Sequence, residues 1–220
     1  MNEFRLDNLT ELTRTSEADG VQLYRMSRWN PLSWIFLKRL KLILNLFPPG
    51  DSFGRLLEIG VGSGVLAPEL SRRCQEYVGI DIHDQLPQVR RALAGTAPTL
   101  RLVGANVCSL PFADNSFQAV FALSVLEHVA AIEPAVSEIR RVLCKGGSLF
   151  VGFPVENAAS NAILDVVKVV IGFDRKVHHP TNHRQILGEL SRSMTRVTEQ
   201  PYPWKSRIDV SLFYVAEWTK

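Results

Sequence analysis

Cysteine is scarce in this sequence: Cys74, Cys108 and Cys144 are the only three in 220 residues. They are odd in number, far apart and form no CxxC pair, which speaks against a disulfide framework or a cysteine-built zinc site. Charge of one sign is scarce too. The 25 Lys and Arg exceed the 22 Asp and Glu by only three, so no nucleic-acid partner is expected from net charge. Long apolar runs are missing: none reaches the roughly 20 residues that a membrane-spanning helix needs. The opening stretch, MNEFRLDNLTELTRTSEADG, is polar and lacks the apolar core of a signal peptide. A reducing, cytoplasmic location is the expectation from these features. There is no internal repeat and no low-complexity tract. What remains is an ordinary globular composition, 46% hydrophobic and 21% charged, long enough for one domain with additions.

The segment nearest to membrane character is Pro31 to Phe47, PLSWIFLKRLKLILNLF. Lys38, Arg39 and Lys41 interrupt it. On a helix, Lys38, Lys41 and Asn45 share one face, and Phe36, Leu40, Ile43, Leu44 and Phe47 share the other. Two readings follow: a helix packed on the domain, or an interfacial helix over 31–47 that touches a membrane or admits a lipophilic substrate.

Beyond Pro48-Pro49-Gly50-Asp51, short apolar runs alternate with helical stretches. Strands are predicted at 55–60, 77–82, 99–106, 117–124 and 148–154. Helices are predicted at 64–74, 84–94 and 133–143. This alternation implies a parallel sheet covered by helices on both faces. The tail departs from it, with a helix-like stretch at 161–170, a helix capped by Asn182, and two final strands in TRVTEQPYP and SLFYVAEWT. Such an ending allows an antiparallel edge on the sheet and seven strands in all, a count that neither composition nor periodicity fixes by itself. Residues 1–50 form a helical extension or lid in this scheme. Residues 51–220 form the main domain, with 155–200 as an insertion facing substrate.

Chemistry concentrates in three places. The first is LLEIGVGSGVL, 56–66, where a strand runs into Gly60, Gly62 and Gly64 and a helix follows. Glycines let the chain turn sharply and let a ligand approach the backbone. The plain alternative is a tight βα turn without a ligand. The second is Asp81, at the tip of YVGID, twenty-one residues past Gly60. An acid there can accept hydrogen bonds from both hydroxyls of a ribose. The alternative is a helix cap. Together the two motifs indicate an adenosine cofactor without saying which. The nicotinamide fingerprint GxGxxG is not met, because the spacing is GxGxG and position 65 is Val. Glu58, two residues before the first glycine, would repel a pyrophosphate but tolerate an ammonium and a sulfonium.

The third is GANVCSLPFADNSFQAVFALSVLEHV, 104–129. With LLEIGVGSG, VGIDI, LPFADNSFQAV, LSVLEHV and RRVLCKGGSLFVGFP in that order, the chain resembles the class I S-adenosylmethionine (SAM)-dependent methyltransferases. More narrowly, it is similar to the group that includes ubiquinone- and menaquinone-biosynthesis-type enzymes and many small-molecule methyltransferases. The resemblance covers about 54–154. It implies a Rossmann-like three-layer α/β/α fold, S-adenosyl-L-methionine as cofactor and S-adenosyl-L-homocysteine as product. It also implies residue roles. Glu58, Gly60, Gly62 and Ser63 correspond to the loop around the methionine portion. Asp81 corresponds to the ribose acceptor, with Ile82 beside the adenine. Asn106 and Val107 correspond to the pair at the adenine edge, where the family commonly has Asp at the place of Asn106. Leu123 and Ser124 close the fourth strand below the transferring methyl, and Glu127 and His128 follow near the acceptor.

His128 is the candidate catalytic base, against a role in shaping the pocket. Some methyltransferases bind a metal through ExxEH. Here Ser124 holds the first Glu position, so no metal is expected. His178, His179 and His183 mimic a metal spacing, but they straddle Pro180 and a helix start, and loop and cap roles are expected for them. His179 could instead contact substrate. The acceptor should be a small molecule, lipophilic or aromatic, received by an apolar lid drawn from 1–50 and 155–200 (Tyr24, Trp29, Trp34, Phe36, Phe153, Phe173), the alternative for any one of these residues being plain core and cover. A non-catalytic SAM-binding or partner-binding protein and a nicotinamide-dependent oxidoreductase are the rival functions. Oligomeric state cannot be read from the sequence.

Overall fold

A computed structural model describes residues 31–47, 53–95, 100–157, 160, 179–204 and 207–220, with the backbone alone over 31–36. The elements are α1 (Pro31–Leu44), β1 (Phe53–Ile59), α2 (Ala67–Ser71), β2 (Cys74–Asp81), α3 (Leu86–Ala92), β3 (Leu100–Gly104), β4 (Phe117–Leu123), α4 (Ile132–Val142), β5 (Leu143–Pro154), α5 (His183–Ser193), β6 (Thr195–Tyr202) and β7 (Phe213–Thr219). The seven strands make one sheet in the order β3-β2-β1-β4-β5-β7-β6. The first five are parallel. β7 runs antiparallel between β5 and β6, so the reversed pairing lies at one side of the sheet, as expected.

The strand alternation explains the layers. Leu57, Ile59, Val78, Ile80, Val120, Ala122, Leu149 and Val151 point to one face, where they meet Val136 and Ile139 of α4 and Ile186 and Leu190 of α5. Leu56, Tyr77, Phe121, Phe150 and Val215 point to the other, against α1, α2 and α3. Both faces are covered, which is why the central strands read as continuous apolar runs. The result is a three-layer α/β/α sandwich.

α1 belongs to this packing. Leu40, Ile43, Leu44 and Phe47 are buried, whereas Lys41 and Asn45 are exposed. The Phe47 ring stacks on Phe150 at 4.2 Å between centroids. From Leu37 onward the apolar face of the helix is therefore turned into the domain. Among the described residues, no helix is long and apolar enough to cross a membrane.

Some boundaries differ from expectation. The helix expected at 64–74 is reduced to α2, because Gly64 has φ +78°, a left-handed backbone that cannot sit inside a helix. Pro68 then falls in the first turn, where its missing N–H costs nothing. β2 starts at Cys74, three residues early, and β5 starts at Leu143, with an irregularity in register before Ser148. The cap on α5 is as read: Asn182 accepts from the amides of Arg184 and Gln185, and the Gln185 side chain returns to the Asn182 amide. The expected helix at 161–170 and His178 lie outside the described residues.

Candidate active site

The sheet reverses its strand order between β1 and β4, and in such sheets ligands sit at the carboxyl ends of the strands beside that point. The ends of β1, β2 and β4 carry Gly60, Asp81 and Leu123. Thus the fold gathers three separate sequence motifs at one rim.

The glycine loop is held by the backbone. Gly60, Gly62 and Gly64 all have positive φ. A Cβ on Gly60 would lie 2.2 Å from Cγ2 of Val125, so the loop and the segment after β4 touch there. Gly62 differs: among the described residues nothing lies within 4 Å of where its Cβ would be. Its amide donates to Asp81 Oδ2 at 2.8 Å, while Asp81 Oδ1 accepts from the Ile82 amide at 2.7 Å. The second partner of this loop is His83, whose Nε2 lies 3.1 Å from the Gly62 carbonyl oxygen and 3.7 Å from Asp81 Oδ2. A carboxylate has about four lone-pair sites, so Asp81 keeps acceptor capacity beyond these bonds. Next to it Ile82 is 82% exposed, the most exposed of the large apolar side chains described.

Glu58 sits beneath this rim, buried, and accepts a hydrogen bond from the Tyr77 hydroxyl. Burial pushes its carboxyl up to about 8. The Tyr77 hydrogen bond opposes that shift, and the charge of Asp81 adds to it. Burial also raises the Tyr77 hydroxyl well above its ordinary value, with Glu58 adding to the effect. Gly79 makes the pair possible, because a Cβ there would come 3.0 Å from the Tyr77 oxygen and 2.4 Å from Val61.

On the far side of the rim, Asn106 Oδ1 accepts from the Cys108 amide at 2.9 Å and Val107 is buried. One lone pair of the amide oxygen thus shapes its own turn. Ser124 has φ +57°, its amide donates to the Gly152 carbonyl at 2.7 Å, and its buried Oγ has no hydrogen-bond partner among the described residues. Ser63 is buried in the glycine loop. After β4 a single 3₁₀ turn, Leu126–His128, carries Glu127 inward and His128 outward. Burial pushes the Glu127 carboxyl up to about 7, an effect that Arg39 of α1 opposes by its charge.

The segment before α5 closes on this turn. Thr181 donates its hydroxyl to the Val129 carbonyl at 2.5 Å, and its amide reaches the Glu127 carbonyl at 3.4 Å. The His179 ring meets the His128 ring edge-on at 4.9 Å. The histidine cluster therefore splits. His179 joins His128, whereas His183 is buried in the first turn of α5, 3.5 Å from Asp209. Phe153, an aromatic that could line a pocket or fill the core, is fully buried core stacked on Tyr214 at 5.1 Å. The inward half of β5's alternation accounts for it. The LPFADNSF block turns out to be scaffolding: Arg141 binds Glu138, Asp114 and the carbonyls of Leu110 and Phe112, pinning the loop after β3 to α4.

Residues 57–151 match the family model for a methyltransferase domain. This stretch, 95 of the 220 residues, is similar to a methyltransferase domain. Over 158 residues that domain and its flanks are 30% identical to the ubiquinone/menaquinone biosynthesis C-methyltransferase of Bartonella bacilliformis, covering 66% of this chain and 61% of that one. Over 101 residues the chain is 36% identical to the phosphatidylethanolamine N-methyltransferase of Cereibacter sphaeroides, covering 44% of this chain and 49% of the other. It thus spans less than two thirds of either relative. Among solved structures, the N-methyltransferase NodS from Bradyrhizobium japonicum, in complex with S-adenosyl-L-homocysteine, has the same fold. Its TM-score is 0.67 at 17% identity, with 97% of this chain and 98% of that one covered.

Tyr77, His83 and Arg39 are the site residues that the motifs passed over. His83 was in view, two places after Asp81. Tyr77 shares the inward face of its strand with Gly79, and only the parallel register of β1 and β2 reveals what its hydroxyl meets.

Proposed function

We propose that this protein transfers a methyl group from SAM to a small lipophilic or aromatic acceptor. The observation that carries the cofactor half is the joint geometry of Glu58, Gly62 and Asp81. The space over Gly62, the buried carboxyl of Glu58 and the accepting oxygens of Asp81 fit the methionine, the ammonium and the ribose of such a cofactor. Glu58, Gly60, Gly62 and Ser63 would hold the methionine portion, Asp81 the ribose, and Ile82, Asn106 and Val107 the adenine. When bound, SAM supplies an activated methyl whose sulfonium charge is lost on transfer. The chain's own work is then to orient and to exclude water. Leu123 and Ser124 would form the floor nearest the transfer. Electrostatics favours a cationic ligand at Glu58, because a nearby positive charge stabilises the ionised carboxylate that burial disfavours.

The acceptor is read from the relatives and the surroundings. The two relatives act, by their names, in the biosynthesis of a quinone and on a phospholipid, both with long apolar parts. Residues 1–50 and 155–200 would supply the lid, and His128 the base for an acceptor that must lose a proton. A screen with methyl-labelled SAM tests this directly. Transfer to phenolic, quinol or lipid acceptors supports the reading, and activity confined to water-soluble sugars or amines refutes it.

A further inference from the structure

We propose that Glu127, His128 and His179 bind a divalent cation of the zinc type. One ligand atom from each lies within 4.8 Å of the other two. Two imidazoles and a carboxylate are a donor set that zinc accepts in catalytic sites, with a further position left for water or substrate. A tetrahedral ion with bonds near 2.0–2.2 Å needs its ligand atoms roughly 3.3–3.6 Å apart. Closing from the present spacing takes a small side-chain rotation, and His128 is exposed.

Two further observations point to a cation rather than to a chance cluster. Glu127 is 3% exposed, yet its Oε2 has no hydrogen-bond partner among the described residues. A buried carboxylate oxygen without a donor is costly and invites a positive ligand. His179 is also arranged as metal-binding histidines are. Its Nδ1 lies 2.7 Å from Glu156 Oε1, which fixes the ring and leaves Nε2 as the free lone pair. The segment carrying it is anchored by Thr181 to the Glu127 turn, so the three donors belong to one packed unit. Arg39 faces Glu127 as well, and a bound ion would compete with that guanidinium for the carboxylate. The pattern was hidden in the sequence because the third donor comes from a segment about fifty residues away, not from position 124.

With the ion bound, the His128 lone pair is taken up as a ligand, so the base role proposed above belongs to the ion-free chain; any role of the ion toward an acceptor oxygen rests on the methyl-transfer reading. The full chain, stripped by chelator, is titrated with Zn²⁺ by calorimetry and with Co²⁺ by visible absorption. The expected result is one ion per chain at micromolar or tighter affinity, with the intense Co²⁺ bands of a four- or five-coordinate site. His179→Ala and Glu127→Gln should each weaken binding more than tenfold, and Glu156→Gln by about tenfold. Binding of S-adenosylhomocysteine serves as the fold check, and Asp81→Ala should leave the ion site unchanged. Millimolar affinity, or binding that survives both His179→Ala and Glu156→Gln in variants that still melt cooperatively, overturns the assignment.

Discussion

The Tyr77 hydroxyl donates to Glu58 inside the sheet, nineteen residues away in sequence and one strand away in space. This bond lets a carboxyl stay buried directly below the glycine loop. Tyr77→Phe removes the one side-chain donor to Glu58 among the described residues. An unsatisfied buried acceptor costs about 1–3 kcal/mol, so the variant should melt lower than the native chain and bind SAM more weakly. Thermal unfolding and calorimetry check the two effects.

Glu58 also sets a pH dependence. Its folded value near 8 exceeds the ordinary carboxyl value of 4.5. The ligand-free folded state therefore binds a proton that the unfolded chain has released, and this contribution to stability is lost as pH rises from about 4.5 through 8. Glu58→Gln should flatten that decline and leave the ligand-free variant relatively more stable at pH 8.5. The same variant should bind SAM at least tenfold more weakly. A variant that melts as steeply with pH as the native chain would contradict the assignment of the slope to Glu58.

Gly60 and Gly62 separate folding from binding. At Gly60 a side chain meets Val125 at 2.2 Å and φ is +74°, so Gly60→Ala should lower the melting temperature sharply. At Gly62 only the left-handed backbone opposes a side chain, at roughly 1–2 kcal/mol. Gly62→Ala should therefore remain folded and lose cofactor affinity, because its methyl group occupies the open space over the loop. Circular dichroism with cofactor titration distinguishes the pair.

Arg141 carries a structural prediction. It links Glu138 and Asp114 and donates to two loop carbonyls. Arg141→Ala should destabilise the chain by about 1–3 kcal/mol through the carbonyls left without a donor. It should raise hydrogen exchange in residues 110–116 while leaving the glycine loop protected.

The sheet, and the meeting of the glycine loop with Asp81 at one rim, were legible in the sequence because their signals are local. A strand followed by glycines, and an acid at the tip of the next strand, carry their geometry within a few residues. The N-terminal helix was legible in its periodicity, and Leu40, Ile43, Leu44 and Phe47 of its apolar face are buried. Other features depend on register and on long-range packing. Nothing near Tyr77 reveals Glu58, nothing near Arg39 reveals Glu127, and the meeting of His179 with His128 needs the loop that Thr181 anchors. For Phe153 the sequence left pocket and core both open, and only its inward place on β5 puts it in the core.

The measurement that bears most directly on the account is calorimetric binding of SAM and S-adenosylhomocysteine to the native chain and to Asp81→Ala. The account predicts binding of one molecule per chain, reduced at least tenfold in the variant while its melting stays cooperative. A native chain that is folded and binds neither ligand, or a variant that binds both as well as the native chain, would contradict it.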